Sequence, residues 1–131
     1  MEQSIIDQIM NADARALATC GPHGINVVPV SVVEVVDSGI HLYNFFMGKT
    51  IENLIVEPQV ALTCWKGLQG IQVKAEAAYL TAGALFDVAA VQMKERFPER
   101  TLDGVIALTP TQIFDVSADK NRAGTEIFPG A

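Results

Sequence analysis

The sequence predicts a small antiparallel β-barrel of α+β type, mainly β, closed or nearly closed, with short flanking helices. Three observations carry this expectation. Apolar stretches are separated by tight-turn signals at Gly21-Pro22-His23-Gly24 and Asp37-Ser38-Gly39, the punctuation of consecutive hairpins. The segment Ile71-Gln72-Val73-Lys74-Ala75-Glu76-Ala77 alternates apolar and polar residues, as a half-exposed strand does. Closing such a run of hairpins on itself removes the exposed edges that a flat sheet would present.

The elements follow in order. Ser4-Ile5-Ile6-Asp7 reads as a capping-box start with Asp in place of Glu, and Ile5, Ile6, Ile9 and Met10 then recur at helical spacing. Ala14 to Cys20 is small and apolar and leads into the first turn. Asn26 to Val36 carries valine on both parities, so both faces of that strand need cover beyond the barrel interior. In so short a chain a second copy is the cheapest source of it, and a homodimer is expected. Ile40 to Met47 returns as an aromatic-rich strand, and Thr50 to Val56 forms a short helix that stops before Pro58. Val60 to Trp65 and Gly70 to Leu80 are strands. Ala84 to Phe97 places Phe86, Ala89, Ala90, Met93 and Phe97 at helical intervals before Pro98. Val105 to Leu108 and Gln112 to Ser117 read as final strand pieces interrupted by Thr109-Pro110-Thr111, and the polar tail to Ala131 is either mobile or reaches a partner.

Composition narrows the function. At 131 residues, half of them hydrophobic and 18% charged, residues 1–131 suit one domain with a real core. Fifteen acidic against nine basic side chains, a net charge of -6 with the basic groups scattered, argues against nucleic acid. Met1 to Met10 lacks the basic start of a secretory signal, and no run reaches the roughly 18 apolar residues of a membrane span. A cytoplasmic protein with no membrane partner is therefore expected. Cys20 and Cys64 lie far apart among apolar neighbours and read as core thiols in a reducing compartment. His23 and His41 have no partners at metal-ligand spacing and read as surface residues, so no metal is expected. Ser31 lacks the glycines of a nucleophile elbow.

One short motif carries chemistry. Gly48-Lys49-Thr50 resembles the end of a P-loop, but the glycine required five positions earlier is Tyr43. What survives is a glycine that lets backbone approach an anion, a lysine, and a helix opening at Thr50 with its free N–H groups. That combination suits a phosphate. It equally suits a capped helix start with a solvated lysine. Lys74, on the polar face of its strand, reads as solvated.

The context of this motif is more specific. Asn26-Val27-Val28-Pro29-Val30-Ser31, Asp37-Ser38-Gly39, Asn44-Phe45-Phe46-Met47-Gly48-Lys49-Thr50-Ile51-Glu52-Asn53-Leu54 and Glu57-Pro58-Gln59-Val60-Ala61-Leu62 together resemble the FMN-binding split-barrel family related to pyridoxamine 5'-phosphate oxidase, especially its small bacterial FMN-binding proteins. The resemblance covers about Ile5 to Ser117. It implies a split β-barrel that binds FMN noncovalently, as a homodimer with the cofactor at the subunit interface. By the same resemblance, Lys49 and Thr50 hold the flavin phosphate, Phe45, Phe46 and Met47 line the ring and ribityl chain, and backbone near Val27, Val28, Pro29 and Val30 faces the isoalloxazine. Flavin would supply the redox chemistry, and no side chain needs to be catalytic. Many members carry a glycine where Ala75 stands and a longer polar or basic substrate segment; neither is present here. The expected function is thus a redox or electron-transfer flavoprotein with a redox partner. The alternatives are an FMN-dependent oxidoreductase with a nicotinamide donor and a small acceptor, or a barrel that takes haem, a deazaflavin or no cofactor as a structural dimer.

Overall fold

In the computed structural model, which describes residues 1–129, the chain runs α1 (Gln3–Met10), β1 (Ala14–Gly21), β2 (Gly24–Pro29), β3 (Val33–Val36), β4 (Gly39–Asn44), α2 (Gly48–Val56), β5 (Gln59–Lys66), β6 (Gln69–Leu80), α3 (Ala84–Arg96), β7 (Gly104–Asp115) and β8 (Glu126–Phe128). All strand pairs are antiparallel, in the order β2-β1-β5-β6-β7-β4-β3, with β8 added on β7. The valine-rich run Asn26–Val36, expected as one two-faced strand, is instead two strands at opposite edges of this sheet. Pro29 explains the break, since it lacks the N–H that a continuing ladder needs.

Only Val30, Ser31 and Val32 link those two edges. Four residue steps reach at most about 14 Å, whereas seven flat strands would hold the edges about 29 Å apart. The sheet must therefore curl until its edges face each other. The result is an open antiparallel barrel, mainly β, with flanking helices, as expected. The link is fixed by Arg15: the Val30 N–H donates to the Arg15 carbonyl at 3.0 Å, and Arg15 Nη1 donates to the Ser31 carbonyl at 3.3 Å. The same guanidinium donates to the Ile9 and Met10 carbonyls at 2.7 and 2.9 Å, closing the C-terminal end of α1.

The alternation of each strand sorts its residues into a barrel interior and an outer face. Leu17, Leu42, Leu62, Ile71, Val73, Ile106, Leu108 and Ile113 point inward, and Ile5 and Ile9 of α1 and Ile51 and Leu54 of α2 join them. On the outer face, Tyr43 and Val105, paired across β4 and β7, receive Ala89 and Met93 of α3. That helix spreads its apolar residues around its circumference, with Leu85, Val88 and Val91 left exposed. The capping box expected at Ser4 does not form. The cap position is Glu2, Ser4 lies inside α1, and Asp7 Oδ1 accepts from Gln3 Nε2 at 2.8 Å.

Two further expectations change at the C-terminal end. The strand expected in two pieces around Pro110 is continuous, because Pro110 occupies a bulge. Lys74 pairs with Gln112 and Ala75 with Pro110, so Thr111 is the extra residue, and its hydroxyl donates to the Lys74 carbonyl at 3.1 Å. The tail folds back on its own barrel through β8, with Ile127 and Phe128 against the core. Asp115 organises that return, accepting from the Ser117 N–H at 2.9 Å and from Arg122 Nε at 3.1 Å. Burial alone would raise its carboxyl; the bonds from Ser117 and the Arg122 guanidinium outweigh that and hold it below the usual range. Of the two thiols, Cys64 is buried, and burial pushes it up to about 12, against the pull of Arg15. Cys20, expected in the core, is exposed because it falls on the outward phase of β1.

Asn53 on α2 is fully buried and ties this helix to the first hairpin. Its Nδ2 donates to Thr19 Oγ1 at 3.2 Å and to the Gly24 carbonyl at 3.0 Å, while its Oδ1 accepts from the His23 N–H at 2.9 Å. A Cβ on Gly21 would lie 2.9 Å from the Asn53 Cα, so the turn and helix meet backbone to backbone only because residue 21 is glycine. Asn53→Ala leaves the Gly24 carbonyl and the His23 N–H without this partner and opens a small void. It should cost about 3 kcal/mol. Urea denaturation at neutral pH measures this, and a loss below about 1 kcal/mol would show the clamp to be dispensable.

Candidate functional site

Where the two sheet edges approach, the end of β2, the Val30–Val32 link, β4 and the loop before α2 leave a cleft of about 360 Å³. Its lining is Val28, Pro29, Val30, Ser31, Val32, Tyr43, Phe45, Phe46, Met47 and Arg100. Six residues expected around a flavin, Val28, Pro29, Val30, Phe45, Phe46 and Met47, thus lie together in one apolar groove. The seventh, Val27, points the other way and is exposed on the outer face of β2. The strand expected over Ile40–Met47 ends at Asn44, and this releases Phe45, Phe46 and Met47 as a bend.

Asn44 holds that bend. Its Oδ1 accepts from the Met47 N–H at 2.7 Å, the local bond that turns Asn toward loops. Its Nδ2 donates to the Tyr79 hydroxyl at 2.7 Å, and its carbonyl accepts from the Asp103 N–H at 2.9 Å. The Tyr79 ring sits where any side chain at Gly104 would have to go, so that glycine is part of the same support. The loop is therefore fixed by buried polar bonds rather than by packing alone.

At the far end of the bend, α2 begins two residues earlier than expected. Met47 occupies its cap position, and no side chain caps the helix. The first N–H groups of α2 are thus available to an anion, beside the exposed Lys49. Thr50 is buried, with its Oγ1 accepting from Asn26 Nδ2 at 3.1 Å, which ties the helix start to β2. One turn on, Glu52 Oε2 lies 2.6 Å from His23 Nε2 of the hairpin turn. His41 sits half-buried on β4, and neither histidine lines the cleft. An apolar slot that ends at an uncapped helix start with a lysine fits a flat apolar ring system carrying a phosphate.

Two residues of the cleft lining, Arg100 and Tyr43, and one that supports its loop, Asn44, had no role in the sequence reading. Arg100, in the loop between α3 and β7, lies with its guanidinium 4.4 Å from the Phe97 ring centre and 5.4 Å from that of Phe45, and those rings meet edge to face at 5.8 Å. Tyr43 is buried, and burial pushes its phenol up to about 12; Glu34 adds to the shift and Arg96 opposes it. Asn44 stands in the stretch that carries the family resemblance, but only the coordinates reveal what it holds. No spacing signal marks Arg100, which depends on how the 97–103 loop folds back over Phe45.

An open antiparallel barrel with flanking helices and a lateral cleft at its seam defines the split-barrel class of proteins. The family model described as pyridoxamine 5'-phosphate oxidase matches residues 1–123, and the chain belongs to that family. Among solved structures, it is similar to HupZ of Group A Streptococcus, with a TM-score of 0.81 and 19% identity over 95% of this chain and 98% of that one. It is also similar to an FMN-binding protein from Syntrophomonas wolfei, with a TM-score of 0.73 and 22% identity over 92% and 91%. HutZ of Vibrio cholerae, a haem storage protein, aligns with a TM-score of 0.66 and 21% identity over 86% and 92%. At these identities the likeness bears on the fold. No curated protein matches the chain in sequence. No helix among the described residues is long and apolar enough to cross a membrane.

Burial, with Glu34 beside the hydroxyl, keeps the Tyr43 phenol protonated well above the ordinary range. In an alkaline absorbance titration of the two tyrosines, Tyr43→Phe should remove a component with a midpoint of about 12. Loss of a component near the ordinary value of about 10 instead would place this phenol in contact with water.

Proposed function

We propose that this chain is a noncovalent FMN-binding flavoprotein of redox or electron-transfer type, working as a homodimer. The observation that carries the reading is the apolar cleft at Val28–Val30 and Phe45–Met47, whose lining residue Met47 is also the cap position of α2, a helix start without a side-chain cap and two residues before Lys49. The groove offers apolar cover for an isoalloxazine ring. Lys49 and the first N–H groups of α2 would bind the phosphate, supplying local positive potential on a chain of net charge -6. Thr50 acts from beneath, holding the helix start against Asn26. Bound FMN would supply one- and two-electron redox chemistry, while the chain binds, orients and screens it from water.

The dimer reading rests on the outer face of β2, β1 and β5. Val27 and Ile25 there are 60% and 84% exposed, and they pair across the ladder with Ala18 and Cys20. Ala16, Ala61 and Pro29 extend the same face. A contiguous apolar surface of this kind on an edge strand calls for a partner. Pro29 belongs both to this face and to the cleft, so a second copy seated here borders the flavin site. Val27 would then act through the interface rather than in its own chain's groove. For the haem alternative the cleft offers no histidine or cysteine, leaving only Met47 and the buried phenol of Tyr43 as candidate ligands.

Purified protein loaded with FMN should keep flavin absorbance through gel filtration, and Lys49→Ala should weaken FMN binding about tenfold or more. Passage through the column without flavin, or an unchanged affinity in the variant, would reject the assignment. Rapid bleaching of bound flavin by NADPH or NADH in stopped flow would identify an oxidoreductase; slow bleaching fits a carrier. Val27→Lys should convert a two-chain particle into single chains by light scattering at micromolar concentration, and an unchanged mass would remove this face from the interface.

A further inference from the structure

Arg100 is the one basic side chain that lines the cleft, and its surroundings differ from those of a structural arginine. Among the described residues it forms no ion pair, whereas Arg96 reaches Glu34 and Arg122 reaches Asp115. Its guanidinium is held instead by the faces of Phe97 and Phe45. Aromatic faces fix the plane of a guanidinium and leave its N–H edge free, the arrangement that grips a carboxylate through two parallel bonds. Beside it Phe46 is 85% exposed, an unusual cost for a side chain of that size unless something flat covers it. Phe46 and Arg100 also line a neighbouring recess with Arg96, Phe97, Pro98 and Glu99, so the pair is shared between that recess and the main cleft. Arg100 lines the cleft directly, whereas Lys49 lies two residues beyond the lining residue Met47 and outside the lining, so the two cations are distinct groups.

We propose that Arg100 and Phe46 form a second subsite that takes the carboxylate of a small planar substrate or electron acceptor, laid against the flavin in the same cleft. The assignment of a flavin to the neighbouring groove underlies this inference. Arg100 selects an anionic molecule and sets its orientation, and Phe46 covers its flat face. A neutral analogue of the same shape is bound more weakly, because it leaves the guanidinium desolvated and unpaired.

The test uses trans-cinnamate as the probe and cinnamyl alcohol as its neutral counterpart. Both are titrated by calorimetry into FMN-loaded and FMN-free protein, for the wild type, Arg100→Gln and Arg100→Lys, with FMN affinity measured in parallel. Wild-type protein should bind cinnamate at least tenfold more tightly than the alcohol. Arg100→Gln should abolish that preference and leave FMN affinity within about twofold, and Arg100→Lys should restore it only in part. Equal cinnamate binding by wild type and Arg100→Gln would overturn the subsite. So would a tenfold loss of FMN affinity in Arg100→Gln, since Arg100 would then hold the cofactor itself. If the wild type takes up no FMN, the flavin reading fails by itself; Arg100-dependent cinnamate binding to the FMN-free protein would still support the subsite, and its absence would overturn it.

Discussion

The architecture depends on one short covalent constraint. Val30, Ser31 and Val32 must carry the chain from one edge of a seven-strand path to the other, and they can do so only if the sheet curls back on itself. Arg15 holds that link in place, with its guanidinium shared between the last carbonyls of α1 and the Ser31 carbonyl. The interior that receives Ile5, Ile9, Ile51 and Leu54 exists because of this closure. The cleft is the remaining gap at the same seam, so the feature that makes the barrel also makes the site.

Three side-chain amides tie together the elements around the site, two of them buried. Asn53 joins α2 to the first hairpin, Asn44 shapes the bend that presents Phe45 to Met47, and Asn26 reaches Thr50 at the helix start. Asn44 ends β4, where backbone groups leave the ladder and need other partners, while Asn53 and Asn26 reach across from within α2 and β2. In a core made largely of aliphatic side chains, these bonds supply the directional information that apolar contacts lack. No buried side-chain nitrogen or oxygen among the described residues lacks a partner.

Much of this was legible in the sequence, for identifiable reasons. The turn signals at Gly21–Gly24 and Asp37–Gly39 marked two hairpins, because few residues tolerate such backbone angles; Asp37 has φ 55° and Gly24 φ 70°. Gly48-Lys49-Thr50 suggested a helix start suited to an anion, and the helix is there. The valine run of Asn26–Val36 misled, since a period-two pattern cannot reveal that Pro29 ends one edge strand and that the next lies across the barrel. Pro110 misled in the opposite sense, because a bulge absorbs it without breaking β7. Cys20 was assigned to the core on its apolar neighbours, yet the phase of β1 turns it outward. Arg100 and Tyr43 could not be found from local sequence, since their roles arise from loops and strands that meet only in three dimensions.

The open seam has a consequence for how the protein loosens under heat. β2 and β3 are the two ends of the hydrogen-bonded path and are fastened to each other by chain rather than by a ladder. Breathing of the barrel should start there, at the edges with fewest bonds to lose. A molecule wedged between them would act as the missing rivet, so occupancy and melting temperature would climb together.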